Sequence, residues 1–323
     1  MLDQQQSPKK RPRNSWALAI VIGTASILIG LAAIYAWVLV GPKNTESTTQ
    51  TYEASISGID IDIASGNIDV STGDGDSVVV TRTQKWVGDE PPAVTEGVSA
   101  GKLELVGHGC GLRFLPIPCM TSYEVEIPES VAVTAQTSSG NITVDGRTGA
   151  QQLSSSSGNI SSQGNDDQTA IAIDASSGNV KLDGGGDVTV DVSSGSIELD
   201  GVTGKADVET SSGDITGRNL AVESMSLHTG SGSQTMQFDE AGKIEADTGS
   251  GSLDFTFATA PHSVVAETGS GDAHLAVPGS EKYVVDASTG SGDETVDVST
   301  DAGAKSKLDV STGSGDVVIA KAP

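Results

Sequence analysis

The sequence predicts an all-β protein: a β-solenoid, a parallel β-helix-like stack of 17–23-residue coils, preceded by one transmembrane α-helix. Three observations predict it. Turns reading SSGN, SSGS, SSGD and TGSG recur from Ser138 to Asp316. Apolar and polar residues alternate on both sides of each turn. A run of 25 uncharged residues, Trp16 to Val40, stands near the start.

Lys9, Lys10, Arg11 and Arg13 make residues 1–15 a basic tail. As a helix, the uncharged run at 16–40 would reach about 37 Å at about 1.5 Å per residue, enough to cross a hydrocarbon core of about 30 Å with some tilt. Trp16 at one end and Tyr35 with Trp37 near the other occupy interfacial positions. The basic flank predicts a cytoplasmic N-terminus, with everything after residue 40 outside. A cleaved signal peptide, the rival reading, expects a shorter apolar region followed by a small-residue cleavage site. Residues 41–56, GPKNTESTTQTYEASI, are expected to form a polar stalk.

Ser57 to Val70, SGIDIDIASGNIDV, already matches the repeat, so 57–130 reads as a first coil followed by an irregular, capping β insertion. That insertion holds the two cysteines, Cys110 and Cys119. In an oxidising exterior so close a pair reads as a disulfide. Buried free thiols are the alternative, and a zinc site with His108 would remain one ligand short.

Residues 131–323 carry the regular repeat, about ten coils or roughly 48 Å at about 4.8 Å per layer. Taking the last glycine of each turn as reference, spacings from Gly140 onward are 18, 20, 17, 18, 19, 19, 20, 21 and 23. Seven and five residues before it stand mainly Val, Ile, Leu and Ala; three before, mainly Ser or Thr. Two and four residues after it the alternation resumes, as in Ile197 and Leu199, with Gln234 and Glu294 as breaks. This is the period of strands with one buried face. A unit this short cannot bury its own apolar side, and stacked units can. Small inward residues predict a narrow interior, and like positions would stack on like, giving a ladder of Asn141, Asn159 and Asn179. Antiparallel hairpins in a sandwich are the competing arrangement.

This repeat, with SYEVEIPES ahead of the first full SSGNITV unit, resembles the bacterial "putative adhesin" family of β-strand-repeat domains, over roughly Ser57 to Ala320. The resemblance implies a β-solenoid in a bacterial envelope or surface protein and brings no catalytic motif.

A formal charge of −25 argues against nucleic acid and anionic lipid heads as partners. Without residues 1–40 the charge is −28. The histidines His108, His228, His262 and His274 show no metal-ligand spacing and read as isolated surface residues. Calcium rolls need a nine-residue period, phosphate loops need a following helix, and sugar-cleaving β-helices need a basic or aromatic platform. The one chemical candidate is a column of carboxylates four residues before the reference glycine, Asp174, Asp191 and Glu209, resumed by Asp247 and Glu267. It reads as a solvated acidic face or a weak cation site. The expectation is a single-pass bacterial surface protein, non-enzymatic and without a cofactor. It would adhere to, or structurally support, an envelope polymer or surface protein. The alternative is an envelope-stress signalling accessory acting through a membrane partner.

Overall fold

A computed structural model describes residues 43–322, apart from 54, 74, 113, 114, 117, 118, 147 and 148. It is an all-β solenoid. The basic tail and the transmembrane span expected at 16–40 lie outside the described residues, among which no helix is long and apolar enough to cross a membrane. Each coil consists of a first strand, the glycine corner and a second strand, as in Val188–Ser194 followed by Ile197–Asp200. First strands pair with first strands and second with second, in parallel. Ile173 lies beside Val190, Val190 beside Val208, and Leu182 beside Leu199. Hairpins of a sandwich would pair antiparallel, so that alternative falls for the repeats.

Register decides which face is buried. Val190, Leu199, Leu227 and Ile244 are fully shielded, and each such side chain stabilises by about 1.5–3 kcal/mol. A one-residue slip would turn a whole column outward. The interior is wider in the middle than its small slots suggested. Strands Ile215–Ser231 and Gln234–Ser250 continue unbroken round the looser turn. Phe238, Phe255 and Phe257 fill the space behind them. Phe238 stacks on Phe257 with centroids 4.9 Å apart and meets Phe255 edge-on at 6.1 Å.

The corner explains the repeated turn. At Gly158, φ is 149°, and a Cβ there would lie 1.9 Å from the Gly140 carbonyl oxygen of the preceding layer. At Gly195 the same contact with Gly178 would be 1.9 Å. Only hydrogen fits beneath the next turn. That carbonyl also accepts a hydrogen bond from the inward hydroxyl three residues before the next reference glycine: Thr268 donates to Gly251 at 2.9 Å and Thr248 to Gly232 at 3.1 Å. Each such bond contributes on the order of 1 kcal/mol, and leaving its buried oxygen unpaired would cost more. The expected ladder is present: the Asn159 N–H donates to Asn141 Oδ1 and the Asn179 N–H to Asn159 Oδ1, both at 2.9 Å. It extends further, through Asp214 to Ser233 at 2.8 Å and Asp272 to Asp316 at 2.9 Å.

The two ends depart from sequence order. The segment expected as an irregular insertion supplies a coil of its own, 102–127, in which the cysteine loop replaces the glycine corner. Ile59 pairs with Leu103 on one side and Val133 on the other, and Val70 likewise lies between Val125 and Val144. The layers therefore run 102–127, 58–72, 132–145. At the opposite end Val264 pairs with Leu308, and Leu308 with Val285, so 306–321 sits between 263–277 and 282–300. In both places a more apolar coil takes the inner seat. The expected stalk is also corrected. Lys43–Tyr52 is a strand, antiparallel to Val78–Val87, which is antiparallel to Cys119–Ile127. Its threonines and serines suit an exposed, pleated edge, and Thr49 meets Thr81 hydroxyl to hydroxyl at 3.0 Å.

Candidate functional site

Parallel register turns a position in the repeat into a line on the surface. Asp174 lies beside Asp191, and Asp191 beside Glu209, on the outward phase of the first strands. Glu209 is followed by His228, then Asp247 and Glu267. His228 Nδ1 is 2.9 Å from Asp247 Oδ1, with both side chains about half exposed. The histidine read as isolated is therefore a member of the acidic column. Its phase gave the signal, since it stands four residues before Gly232 as the acids stand before their glycines. His274 has a similar partner on the other sheet, Asp254 Oδ1 at 3.1 Å. Among the described residues no group of three or more His, Cys, Asp or Glu is disposed to hold a metal ion. Carboxylates one strand spacing apart offer single oxygens along a line, whereas calcium needs oxygens from all sides.

Beside this column runs a shallow open groove of about 760 Å³. It is lined by the small residues Ala172, Thr189 and Ser226 together with the charged Lys205, Lys243 and Glu245. Lys243 Nζ holds Glu245 Oε1 at 2.6 Å. On the second sheet Arg218 bridges Glu198 at 2.5 Å and Asp200 at 2.8 Å. Hydrogen bonds from Arg218 and then Asn219 hold the Asp200 carboxyl below its ordinary range. These are surface contacts, weakened by solvent and salt screening.

The least exposed ionic cluster lies at the 102–127 end. Arg82 Nη1 holds Glu96 Oε1 at 2.6 Å, and the buried Tyr123 hydroxyl donates to the same oxygen at 3.0 Å. Burial first, and the Glu96 charge second, push the Tyr123 phenol well above its ordinary range and raise Tyr52 in the same direction. The cluster ties strands Val78–Val87 and Val94–Ser99 to the end of the stack. Close by, Cys110 and Cys119 are joined, with Cα atoms 5.8 Å apart, across the loop that stands in for a corner.

Residues 185–320 match the family model described as Toastrack DUF4097. The match covers a part of the chain in which the repeated glycine turns are regular. Solved structures similar to this chain include a "putative adhesin" from Parabacteroides distasonis, 12% identical over 87% of this chain and 98% of that one, with a TM-score of 0.35. Another, a "putative adhesin" from Bacteroides fragilis, is 11% identical over 85% and 97%, at 0.33. A "putative lipid binding protein" from Parabacteroides distasonis is 11% identical over 88% and 98%, at 0.29. No curated protein matches the chain.

Proposed function

We propose that this chain is a bacterial surface protein, anchored by residues 16–40 with its N-terminus in the cytoplasm, whose solenoid binds or spaces without catalysing. One observation carries the reading: polar side chains stand in fixed register along the outside of a rigid stack, as in the line from Asp174 to Glu267. Such a surface presents the same chemistry every 4.8 Å or so, which suits a repeating polymer or the flat side of another envelope protein. The family match over 185–320 supports the repeat fold on which this reading rests.

Crosslinking on intact cells, followed by recovery of the full chain from solubilised membranes, tests it. Wall polymer or a surface protein on the solenoid is the expected capture. A membrane sensor as the sole partner would move the reading to the signalling accessory. Protease added outside wall-permeabilised cells should remove the repeats and spare an epitope within residues 1–10; protected repeats would overturn the orientation.

A further inference from the structure

The slot two residues after the reference glycine faces the core in every layer that has one. Register joins its occupants in a single column: Ile68, Ile142, Ile160, Val180 and Ile197, then Ile215, Gln234, Leu253, Ala273 and Val317. The last member, beside Val317, is Glu294. Gln234, the other polar member, is enclosed, and its amide donates to Asp247 O at 2.8 Å. Glu294 occupies a core-facing slot, and among the described residues no layer lies beyond it.

Its carboxylate has a specific partner. Glu294 Oε1 accepts the Thr289 N–H at 3.1 Å. Thr289 is in register with Thr312, whose carbonyl accepts from Gly290 of the outer coil. By the same phase Thr289 turns its own backbone groups toward the free edge. The carboxylate thus takes the place that a further strand's carbonyl would take. Around it the core is left open: Val296 is 41% exposed and Val285 and Ala287 only half-buried, whereas Leu308, Val310 and Ile319 one layer inside are fully covered. Two such ends related by a twofold axis would be self-complementary, edge to edge, and would join two cores into one. Glu294 would then face its own copy.

We infer that Glu294 ends the stack: it fixes 282–300 as the outermost coil and keeps that coil's free edge from joining a second copy of this chain. A charge in an inward slot on an edge strand blocks strand addition, because pairing would bury it without a partner. The inference is independent of what the outward faces bind.

The test is the mass of the detergent-solubilised full chain, by light scattering across a concentration series. Glu294→Val supplies the side chain type of the neighbouring layers and should give a concentration-dependent species of twice the wild-type mass. Adding Val296→Lys to that variant should restore the wild-type mass. Should Glu294→Val fail to fold, Glu294→Gln, which keeps an acceptor for Thr289 and removes the charge, should show the same association more weakly. The inference is overturned if the folded variants keep the wild-type mass. It is equally overturned if association survives Val296→Lys, or if Val296→Lys alone lowers the mass of the wild type.

Discussion

The two ends of the stack share one arrangement and differ in another. Each places 58–72 or 306–321 one layer inside and a less regular coil outside. At the 102–127 end, antiparallel strands then close over the last coil, the disulfide pins its corner, and Arg82, Glu96 and Tyr123 tie the closure down. At the 282–300 end, among the described residues, only the two-residue strand Ser299–Thr300 adds to the outer edge, and Val296 is left 41% exposed. A parallel stack cannot finish itself, since every layer creates the edge that the next would use. One end is finished by a change of pairing, the other by a charge. Interior layers should therefore be intolerant, the closed end cooperative, and the open end forgiving.

Breaking a corner gives the largest expected effect. Gly195→Ala drives a Cβ to within 1.9 Å of the Gly178 carbonyl, between layers that cannot move apart. It should cost more than about 4 kcal/mol by denaturant titration, against under about 0.5 for Gly97→Ala, where nothing lies within 4 Å. Gly292→Ala meets Gly315 O at 2.0 Å, but at the open end. Amide exchange there should speed up in 282–300 while the global midpoint holds. A midpoint that falls as far as for Gly195→Ala would erase the distinction between interior and edge.

Next in size is a charge placed in the core. Ile197→Asp buries an unpaired carboxylate and should cost several kcal/mol, roughly 3 or more, whereas Val296→Asp at the open end should cost under about 1. Equal losses would mean that the terminal coil is covered in solution.

The closed end rests on its staple and its buried phenol. Cys110→Ser with Cys119→Ser should remove about 2–3 kcal/mol, seen as faster amide exchange confined to 102–127 and the strands over it. Unreduced peptide mapping of the wild type should show the two cysteines joined. Tyr123 adds a pH dependence whose sign follows from its raised phenol. The unfolded chain ionises this group near pH 10, while the folded chain keeps the proton to higher pH. Its stabilisation is complete below about pH 10 and is lost as pH rises beyond it. Tyr123→Phe should flatten that loss at the closed end. At the open end the residue to compare is Tyr283, pushed up to about 12 mainly by burial, whose hydroxyl donates to Pro278 O at 2.8 Å.

The smallest effect belongs to the acidic column. Asp174→Asn, Asp191→Asn and Glu209→Gln together should raise the melting point slightly at low salt, because aligned like charges repel, and the gain should fade as salt rises. Millimolar calcium should do no more than sodium chloride of equal ionic strength. A calcium-specific rise lost in the triple variant would make the column a cation site.

Much of this molecule was legible because one dimension of it is periodic. Ile197, Leu199 and Val190 declare their burial by phase, and the glycines declare the corner. What each layer touches is not written in that phase. Ile59 is 44 residues from Leu103 and 74 from Val133, yet it contacts both, because an apolar coil needs cover on two sides and takes it from whatever chain can reach. The strand Lys43–Tyr52 went unread since its pattern is threonine and serine, with no apolar face to betray it. His228 is hidden for a different reason: spacing along the chain shows no partner, because its neighbours Glu209 and Asp247 lie across it.

The inverted order at the open end has a bearing on how the chain is made. Coil 282–300 leaves the ribosome before 306–321, the only layer on which it can rest. Growth of the solenoid by simple addition therefore halts after 263–277. Layer 306–321 takes its seat on 263–277 with 282–300 still looped out between them, so the earlier-made coil waits, its apolar side uncovered, until the later-made one is in place.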